Sequence, residues 1–490
     1  MRRANRYHPT PMPDRLETLR SRLKAHDQAH VLTFFDHLGL DEQRSLLAQI
    51  ETLDLESLDD LIERYVRNSP ATNLDGSIEP AKYYPAPNQA NGCAYEASQY
   101  RALGCDLIRS GRVAAFTVAG GQGTRLGWSG PKGTFPATVV TGKPLFRVFA
   151  EQILARSRKH GVTIPWYIMT SPINDAPTRA FFADNNYFGL SRRSVFFLQQ
   201  GVVPTFDAAT GRMLLAAPGE IAVNPDGHGG SLRALRDSGA LNDMQSRSIE
   251  HISYFQIDNP LVYAIDPLFI GLHAGALDSS AEMSSKMVAK AGPHERVGVF
   301  CSVNGVTQVI EYSDLPRDLA EAADEDDSLR FNAGSIAVHM ISVSFVQKLT
   351  ADPHLFALPW HRAEKNSPYI DLDSGIVVEP EQANAVKLET FVFDAIPLAK
   401  SSIILETKRE EEFAPIKNAD GADSPATSHQ LQSDRAGRWL AQCGMAVPRT
   451  DAGHVDAKIE ISPLTALEPQ DLSRARNLPK EIRRGQSVVL

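Results

Sequence analysis

A glycine-rich stretch near residue 120 constrains the fold of this chain more than any other feature. Residues 113–119 form a short apolar run with β-branched side chains, which is typical of a buried parallel strand. The following Gly-Gly-Gln-Gly at residues 120–123 allows a sharp turn and a close approach of the backbone to a ligand. Successive N–H groups in such a loop can bind an anion, and Arg125 and Lys132 add two positive charges. The stretch therefore predicts a phosphate-binding loop after a strand.

The spacing of this loop separates it from two common nucleotide-binding motifs. It lacks the Gly-x-x-x-x-Gly-Lys-Ser/Thr pattern of the P-loop. Gly121, Gly123 and Gly127 are spaced one residue too widely for the dinucleotide fingerprint Gly-x-Gly-x-x-Gly. A purely structural turn is the alternative for the glycines alone. Arg125 and the Pro-Lys-Gly at residues 131–133 favour ligand binding.

Strands and helices alternate on both sides of the loop. The pattern predicts helices over 96–110, 143–159 and 176–185, and strands over 113–119, 164–170 and 194–200. Asp175 is the predicted cap of the third of these helices. Such alternation indicates a doubly wound α/β domain with a mixed, mainly parallel sheet, in which ligands bind at the carboxyl ends of strands.

The rest of the chain suggests three domains. Residues 1–95 predict a helical N-terminal domain and a linker, with Asp41 capping a helix that starts at Glu42. Residues 96–400 contain the strand–helix alternation. Residues 401–490 predict a small C-terminal domain with a helix over 430–443 and a strand over 457–461. Within the central part, Asn-Gly at 304–305 between two β-rich runs predicts a hairpin with a type I′ turn.

Composition excludes several classes of function. The chain has 490 residues and a net charge of −9, which argues against a general nucleic-acid-binding surface. Its four cysteines include no Cys-x-x-Cys pair, so neither a zinc site nor a redox motif is predicted. We expect reduced thiols in a cytoplasmic protein. No apolar stretch reaches the length of a membrane span, and no apolar region follows the basic N-terminus as in a signal peptide.

A second chemical signal follows another predicted strand. Residues 251–259 form an apolar run that ends with Asp258. A carboxylate there can hold a divalent cation that also binds substrate phosphates. A turn or cap residue is the simpler interpretation of Asp258 alone. Its place after a strand of the same predicted domain as the glycine loop favours the cation.

Several motifs resemble the UDP-N-acetylhexosamine pyrophosphorylase family, within the wider UDP-sugar pyrophosphorylase superfamily of Rossmann-like nucleotidyltransferases. Beside the loop at 120–133, they are Gln-Gln-Gly at 199–201, Pro-Asp-Gly-His-Gly-Gly at 225–230, Asp-Asn at 258–259, Val-Ile-Glu-Tyr-Ser at 309–313, Phe-Asn-Ala-Gly at 331–334, Phe-Val-Phe-Asp at 391–394 and Ile-Lys-Asn-Ala-Asp at 416–420. The resemblance covers residues 20 to 464 and keeps the family's order. It is more specific for the superfamily than for the sugar.

The resemblance implies that UTP and a sugar 1-phosphate react to give a UDP-sugar and pyrophosphate, with N-acetylglucosamine 1-phosphate favoured. It implies that Arg125, Lys132 and Lys417 stabilise charge on the reacting phosphates and that Asp258 binds Mg²⁺. The residues that it implies for substrate binding are Gly120, Gly121, Gly123, Thr124, Gln200, Gly227, His228, Glu311 and Asn332. Gln200 and the glycines match positions around the uracil, and Glu311 and Asn332 match positions that hold sugar hydroxyls. We expect a monomer or a homodimer with no nucleic-acid or membrane partner.

One position departs from the family's pattern. His228 stands where the N-acetylhexosamine enzymes usually have asparagine, and Gly-His-Gly is instead similar to UDP-glucose pyrophosphorylases. Glucose 1-phosphate, or several sugar phosphates, is therefore the alternative substrate. An alternative of another class is a nucleotide-sugar sensor without catalysis, although Arg125, Lys132, Asp258 and Lys417 argue against it. A third hypothesis, that the chain is a dinucleotide oxidoreductase, rests on the α/β pattern alone. For His339 and His361 we expect structural roles first.

Overall fold

The computed structural model describes residues 12–68, 76–87, 94–352, 358–475 and 478–490. The described chain divides into two compact units, each made from three segments. The N-terminal unit contains the described residues of Met1–Asn73, Gly201–Gly229 and Pro359–Phe391. The sheet unit contains the described residues of Leu74–Gln200, Gly230–Leu358 and Val392–Leu490.

The helices are short to medium in length, and several are joined by 3₁₀ turns. They are α1 Met12–Ala25, α2 Leu40–Glu51, α3 Leu58–Leu61, α4 Ala97–Arg109, α5 Leu145–His160, α6 Asp175–Asp184, α7 Gly230–Asp237, α8 Ala240–Ser246, α9 Pro267–Gly275, α10 Arg317–Ala320, α11 Val343–Thr350, α12 Arg409–Glu412, α13 Pro425–Gln442 and α14 Pro469–Leu472. Helix α3 continues as a π-helical turn over Ile62–Arg67.

The strands form one large sheet and several small ones. They are β1 Ile78–Pro80, β2 Val113–Val118, β3 Trp166–Thr170, β4 Val195–Gln199, β5 Val202–Pro204, β6 Phe206–Asp207, β7 Leu215–Ala217, β8 Glu220–Ile221, β9 Val223–Pro225, β10 His251–Gln256, β11 Met283–Ala289, β12 Val299–Val303, β13 Val306–Ile310, β14 Ala333–Ser342, β15 Trp360–Lys365, β16 Tyr369–Ile370, β17 Val377–Val378, β18 Ala385–Thr390, β19 Ile404–Glu406, β20 Lys458–Glu460 and β21 Ser487–Val489.

The large sheet belongs to the sheet unit and is mixed. Its main strand order is β1-β12-β14-β10-β2-β3-β4, with β13 on β12 and with β11 joining β14 to β19. Strands β10, β2, β3 and β4 run parallel, as do β11 and β19, and the other pairs are antiparallel. The predicted mixed α/β sheet is confirmed, and the glycine loop leaves its parallel part.

Alternating side chains show why helices cover both faces of this parallel part. Trp166 and Ile168 on β3 are fully buried in a core shared with α5, α6 and α9. Tyr167 lies between them on the opposite face, where its hydroxyl donates a 2.7 Å hydrogen bond to Asp243 on α8. A strand that is buried on both faces has a continuous apolar run rather than an alternating one. This is the doubly wound arrangement predicted from the sequence.

The Asn-Gly turn forms as predicted. Asn304 and Gly305 have φ angles of 52° and 81°, and Val303 pairs with Val306 across the hairpin. Both central residues of a type I′ turn need positive φ, which asparagine and glycine tolerate best. The turn fixes the register of β12 and β13, and hence the position of Glu311, which follows Ile310 at the end of β13.

The N-terminal unit has a core of its own. Buried side chains of the helical segment, among them Leu46, Leu47 and Ile50 on α2, pack in one cluster with Val386 and Leu388 on β18. The helices predicted there are present. The predicted cap of α2 is wrong, because α2 starts at Leu40 and the backbone N–H of Gly39 donates to the Glu42 carboxylate at 2.8 Å.

The C-terminal residues belong to the sheet unit and contain a smaller core. Helix α13 begins five residues before the predicted start, after a Ser424 cap that accepts a bond from Thr427 N. Trp439 and Leu440 on α13 pack with Ile459 on β20, which pairs in parallel with β21. The sequence-based division at residues 95 and 400 thus differs from the two compact units.

Two further observations concern the cysteines and the helices. Cys105, Cys301 and Cys443 are free thiols, and Cys93 lies outside the described residues. Among the helices of the described ranges, none combines the length and the apolar character required to cross a membrane.

Candidate active site

Loops that bear the predicted site residues leave neighbouring parallel strands at the same edge. Val118 at the end of β2 is the register partner of Gln256 at the end of β10. On the other side, Thr170 of β3 pairs with Gln199 of β4. The glycine loop, Gln200 and Asp258 therefore all follow carboxyl ends of adjacent strands. This is where open α/β sheets bind ligands.

The glycine loop is closed by its own backbone. Gly123 N donates to Gly130 O, and Lys132 N donates to Gly121 O, both at 3.0 Å. Trp128 Nε1 also donates to Thr134 Oγ1 at 2.9 Å within the same segment. These bonds hold the loop as a rigid ring, with Lys132 at its base.

The structure constrains the glycines of the loop in different ways. A Cβ on Gly120 would lie 2.7 Å from the Gln200 side-chain oxygen, and a Cβ on Gly123 would lie 2.7 Å from Cβ of Trp128. A Cβ on Gly121 would meet no atom within 4 Å. Packing therefore explains Gly120 and Gly123, whereas Gly121 leaves open space against the backbone that a ligand can occupy.

Asn174 supports the loop from the neighbouring strand connection, and the sequence did not reveal it. Its Nδ2 donates to Ala119 O at 3.0 Å and to Gly121 O at 3.3 Å, while its Oδ1 accepts from Ser171 N. The prediction that Asp175 caps α6 is wrong, because Asp175 is the first helical residue and Asn174 holds the cap position. An asparagine just before a predicted helix was the available signal.

Lys132 and Asp258 meet in the structure. Lys132 Nζ lies 3.4 Å from Asp258 Oδ2, and the two side chains are 16% and 14% exposed. The glycine loop supplies the lysine and the connection after β10 supplies the aspartate. Both charges therefore stand at the carboxyl edge, largely shielded from bulk water.

Lys417 reaches the same edge on a segment distant in sequence. Ile416 N donates to Asp258 O at 2.9 Å, which places Lys417 one residue beyond this contact. Its own N–H donates to Asp423 O, and Nζ lies 6.0 Å from the centre of the Phe413 ring. The backbone of Lys417 thus lies next to the Asp258 connection, and the role that the resemblance implies for Lys417 on the reacting phosphates stays a prediction.

Arg125 and Thr124 stand at the tip of the glycine loop. They lie in a 3₁₀ turn over Thr124–Leu126 that ends at Gly127 with φ of 67°. Both residues are exposed. The tip thus carries an exposed cation that an incoming anion can reach.

Glu311 and Asn332 flank strand β12 in the sheet unit. A Cβ on Gly298 would approach the Glu311 Oε1 atom to 3.3 Å. Asn332 O accepts hydrogen bonds from Lys290 N and Gly334 N, and its side chain bonds with that of Tyr83. Their positions follow from the two antiparallel ladders that meet on β12.

The second glycine loop, residues 226–229, belongs to the N-terminal unit. Asp226 O accepts from the N–H and the hydroxyl of Thr390, each at 2.8 Å, and Gly229 N donates to Thr390 O. Gly227 has a φ of 84°, and a Cβ there would lie 2.4 Å from Thr390 O. Glycine is therefore required at 227 by the fold of the loop itself.

His228 is stacked in this loop. Its ring lies 5.0 Å from the Phe391 ring at an angle of 16°, and the His361 ring lies 4.1 Å from the same phenylalanine at 26°. Burial, with a smaller effect of His361, lowers the pKa of His228 to about 4. The imidazole is thus neutral at pH 7 and can donate or accept a hydrogen bond, but it carries no charge.

A multidentate metal centre is not found in the described ranges. No group of three or more His, Cys, Asp or Glu side chains there is arranged to hold a metal ion. Asp258 is a lone carboxylate beside a cation. One carboxylate fits Mg²⁺ when substrate phosphates and water complete the shell, since Mg²⁺ is commonly bound in that way.

Comparisons with known proteins identify the family of this chain. A family model described as UTP–glucose-1-phosphate uridylyltransferase matches residues 60–434. The chain belongs to this family. The resemblance to UDP-N-acetylhexosamine pyrophosphorylases, drawn from the motifs, is also confirmed by relatives of that name.

Two relatives and one solved structure illustrate the similarity. A UDP-N-acetylhexosamine pyrophosphorylase-like protein 1 of Xenopus tropicalis is 37% identical over 445 residues, which is 87% of this chain and 85% of the relative. The UDP-N-acetylglucosamine pyrophosphorylase of Saccharomyces cerevisiae is 34% identical over 437 residues, covering 86% and 90%. The structure of uridine diphosphate N-acetylglucosamine pyrophosphorylase from Trypanosoma brucei superposes with a TM-score of 0.80 at 27% identity, covering 98% of this chain and 99% of the other.

Proposed function

We propose that this protein is a uridylyltransferase that makes UDP-N-acetylglucosamine and pyrophosphate from UTP and N-acetylglucosamine 1-phosphate. The observation that carries the proposal is the arrangement of Lys132, Asp258 and the backbone before Lys417 at one sheet edge, next to a rigid glycine loop. A phosphate-binding backbone, two lysines and one carboxylate are the groups that nucleotidyl transfer needs.

The reaction requires positioning and charge neutralisation rather than covalent catalysis. An oxygen of the sugar phosphate attacks the α-phosphorus of UTP in line, and the bond from that phosphorus to the bridging oxygen of pyrophosphate breaks. Both reactants are ionised at neutral pH, so no general base is required. Lys132 and Lys417 stabilise negative charge on the α-phosphate and on the leaving group, and Arg125 at the exposed loop tip adds a further cation.

The role of Asp258 in this proposal is to hold Mg²⁺. When bound, the ion would act as a Lewis acid that lowers the negative charge on the substrate phosphates. Lys132 would then exchange its contact with Asp258 for a contact with phosphate. The pair thus keeps both side chains in place before the substrates arrive.

The relatives favour N-acetylglucosamine 1-phosphate as the acceptor. Those of the yeast and Trypanosoma brucei are named for UDP-N-acetylglucosamine, at 34% and 27% identity. His228 is the observation that favours glucose 1-phosphate as a second candidate. Its neutral, stacked ring lies at the position where the resemblance implies a contact with the N-acetyl group.

The test is pyrophosphate release from UTP and Mg²⁺ with glucose, N-acetylglucosamine and N-acetylgalactosamine 1-phosphates supplied separately. We expect the highest kcat/KM with N-acetylglucosamine 1-phosphate. Higher kcat/KM with glucose 1-phosphate would replace the sugar in the proposal. Binding of UTP without pyrophosphate release from any sugar would contradict the enzyme and favour a nucleotide-sugar sensor.

A further inference from the structure

A short segment fastens the Lys417 backbone to the Asp258 connection. We name residues 411–417 the strap. Within it, Glu412 O, Ala414 N and Ile416 N all bond to residues 258 and 259. Glu411 and Glu412 are the last two residues of α12, and residues 413–417 then follow the connection through these bonds. Its register decides where Lys417 stands.

Asn259 makes most of the hydrogen bonds that set this register. Its Nδ2 donates to Glu412 O at 2.7 Å, and its Oδ1 accepts from Ala414 N at 3.0 Å and from Leu261 N at 3.3 Å. The residue is 5% exposed. One amide thus bonds to the strap twice, as a donor and as an acceptor, and also to its own connection.

The Glu412 side chain also anchors the strap. Its two oxygens accept from Lys286 Nζ at 2.6 and 2.8 Å, and Oε1 also accepts from Tyr263 N. Lys286 on β11 pairs with Asp266 as well, at 2.7 Å. Lys286 and Glu412 are each 1% exposed. Separating such a buried pair would leave an uncompensated charge, which resists displacement of the strap.

Helix α13 holds the opposite side of the strap. Arg435 Nη1 donates to Glu411 O at 3.1 Å, and Ser428 Oγ donates to Ala414 O at 2.8 Å. The strap is therefore bonded on both sides by residues of the same compact unit.

We propose that Asn259 is a positioning residue that fixes Lys417 relative to Asp258 before the substrates bind. The proposal rests on the proposed function, since it assigns Lys417 a task that depends on its place. Lys417 then needs no large movement of its backbone to reach the reacting phosphates. A misplacement of about 1 Å can cost about 10²-fold in rate. A change in the position of the strap should therefore slow the reaction.

The amide is the group that this position requires. Aspartate at 259 would keep the acceptor for Ala414 N but could not donate to Glu412 O when ionised. Leucine has a similar size and makes neither bond. The series Asn259→Asp and Asn259→Leu therefore removes the donor first and then both groups, with little change in volume.

Amide hydrogen exchange tests the placement without any assay of activity. In the free protein we expect Ala414 and Ile416 to exchange slowly, and we expect Asn259→Leu to accelerate both. Exchange at the rate of an unstructured chain in the free protein, with protection only after UTP and Mg²⁺ are added, would overturn the proposal. This result would stand whether or not the enzyme acts on any tested sugar.

Kinetics test the consequence for Lys417. We expect Asn259→Asp and Asn259→Leu to lower kcat, by about 10²-fold for leucine, with little change in KM for UTP. In a Lys417→Ala background the same changes should have little further effect, because the residue that they misplace is gone. Full additivity of the two substitutions would contradict a role through Lys417.

A matched control separates positioning from loss of stability. Gln49 in the N-terminal unit also uses its amide twice, with Nε2 donating to Ile221 O and Oε1 accepting from Ile221 N, both at 2.9 Å. Gln49→Leu should lower Tm without lowering kcat. If Asn259→Leu does not fold, Asn259→Asp and the wild-type exchange data decide the question. An equal loss of kcat in Gln49→Leu would remove the argument for Asn259.

Discussion

Nζ of Lys132 and Oδ2 of Asp258 lie 3.4 Å apart at the carboxyl edge of two adjacent parallel strands. The sequence separates these residues by 126 positions, and the parallel pairing of β2 with β10 brings them together. The pair is nearly neutral as it stands. The proposed function gives the two members different tasks, phosphate binding for Lys132 and Mg²⁺ binding for Asp258, so the two charges should respond differently to substitution.

Removal of the Lys132 charge should slow the chemical step. We expect Lys132→Met to lower kcat by about 10²–10³-fold, because an interaction with charge that develops in the transition state is lost. The Kd for UTP should change much less. Single-turnover kinetics with UTP binding by calorimetry measure the two effects. The exposed Lys24→Met on α1 is the control, and an unchanged kcat in Lys132→Met would remove this lysine from charge stabilisation.

Substitution of Asp258 should change the response to Mg²⁺. Asp258→Asn keeps the shape of the side chain and removes its charge, so we expect activation by Mg²⁺ to be abolished or shifted to much higher concentration. Initial rates across a Mg²⁺ titration give the result. A normal activation curve in Asp258→Asn would place the ion elsewhere.

Substitution by alanine should affect UTP binding at Gly121 and stability at Gly133. A Cβ on Gly121 meets no atom within 4 Å, so Gly121→Ala should fold normally but raise the KM for UTP, since the methyl group occupies ligand space. A Cβ on Gly133 would lie 2.2 Å from the buried Phe146 ring, so Gly133→Ala should lose about 1–3 kcal/mol of stability. Thermal unfolding and UTP titration separate the two outcomes. An unaltered KM in Gly121→Ala would mean that no ligand approaches that backbone.

Substitution at 228 should change the preference between sugars. We expect His228→Asn to raise the ratio of kcat/KM for N-acetylglucosamine 1-phosphate over glucose 1-phosphate, because an amide replaces a stacked imidazole next to Phe391. His361→Asn, which removes the other imidazole stacked on Phe391, is the control for lost stacking. Identical ratios in wild type and His228→Asn would show that this loop does not select the sugar.

The buried histidine pair at the start of β10 should make the protein sensitive to mild acid. His251 and His273 pack edge to face with ring centres 5.2 Å apart. Burial lowers the pKa of His251 to about 4, with Glu250 and Arg112 acting in opposite directions, and holds the pKa of His273 well below its usual value. The unfolded chain binds protons near pH 6.5, whereas the native state does not. Stability is therefore complete above pH 6.5 and falls as the pH drops toward 4.

The size of this effect can be isolated by substitution. His251 alone should account for up to about 3 kcal/mol between pH 6.5 and 4. His251→Phe keeps an aromatic ring and cannot titrate, so its unfolding free energy should decline less steeply over that range. Urea unfolding at a series of pH values gives the slopes. Equal slopes in wild type and His251→Phe would contradict the assignment.

The succession of short sequence features along the chain was enough to predict part of the site. A strand followed by glycines, and a strand followed by Asp258, have fixed geometries, so the loop and its lysine could be assigned to a sheet edge from the amino-acid sequence alone. Family resemblance then supplied the roles of Arg125, Lys417 and the substrate-binding residues. The roles of these side chains, the Mg²⁺ requirement, the cytoplasmic location and the oligomeric state stay predictions.

The sequence did not predict features that depend on distant partners. The pairing of β1 with β12, and the grouping of 201–229 and 359–391 with the N-terminal helices, join segments that lie far apart in the sequence. Asn174 and Asn259 look like ordinary turn residues, because their partners lie on other segments. The caps of α2 and α6 were misplaced by one or two residues, since several polar side chains compete at each helix start.

The discontinuous core of the N-terminal unit sets an order of events during synthesis. Leu46, Leu47 and Ile50 pack with Val386 and Leu388, and these two residues are translated more than three hundred positions later. At about 5–20 residues per second, the ribosome needs tens of seconds to deliver them. The apolar face of α2 must wait that long for its contacts with β18. The core of the N-terminal unit can therefore be completed only after residue 388 has been translated.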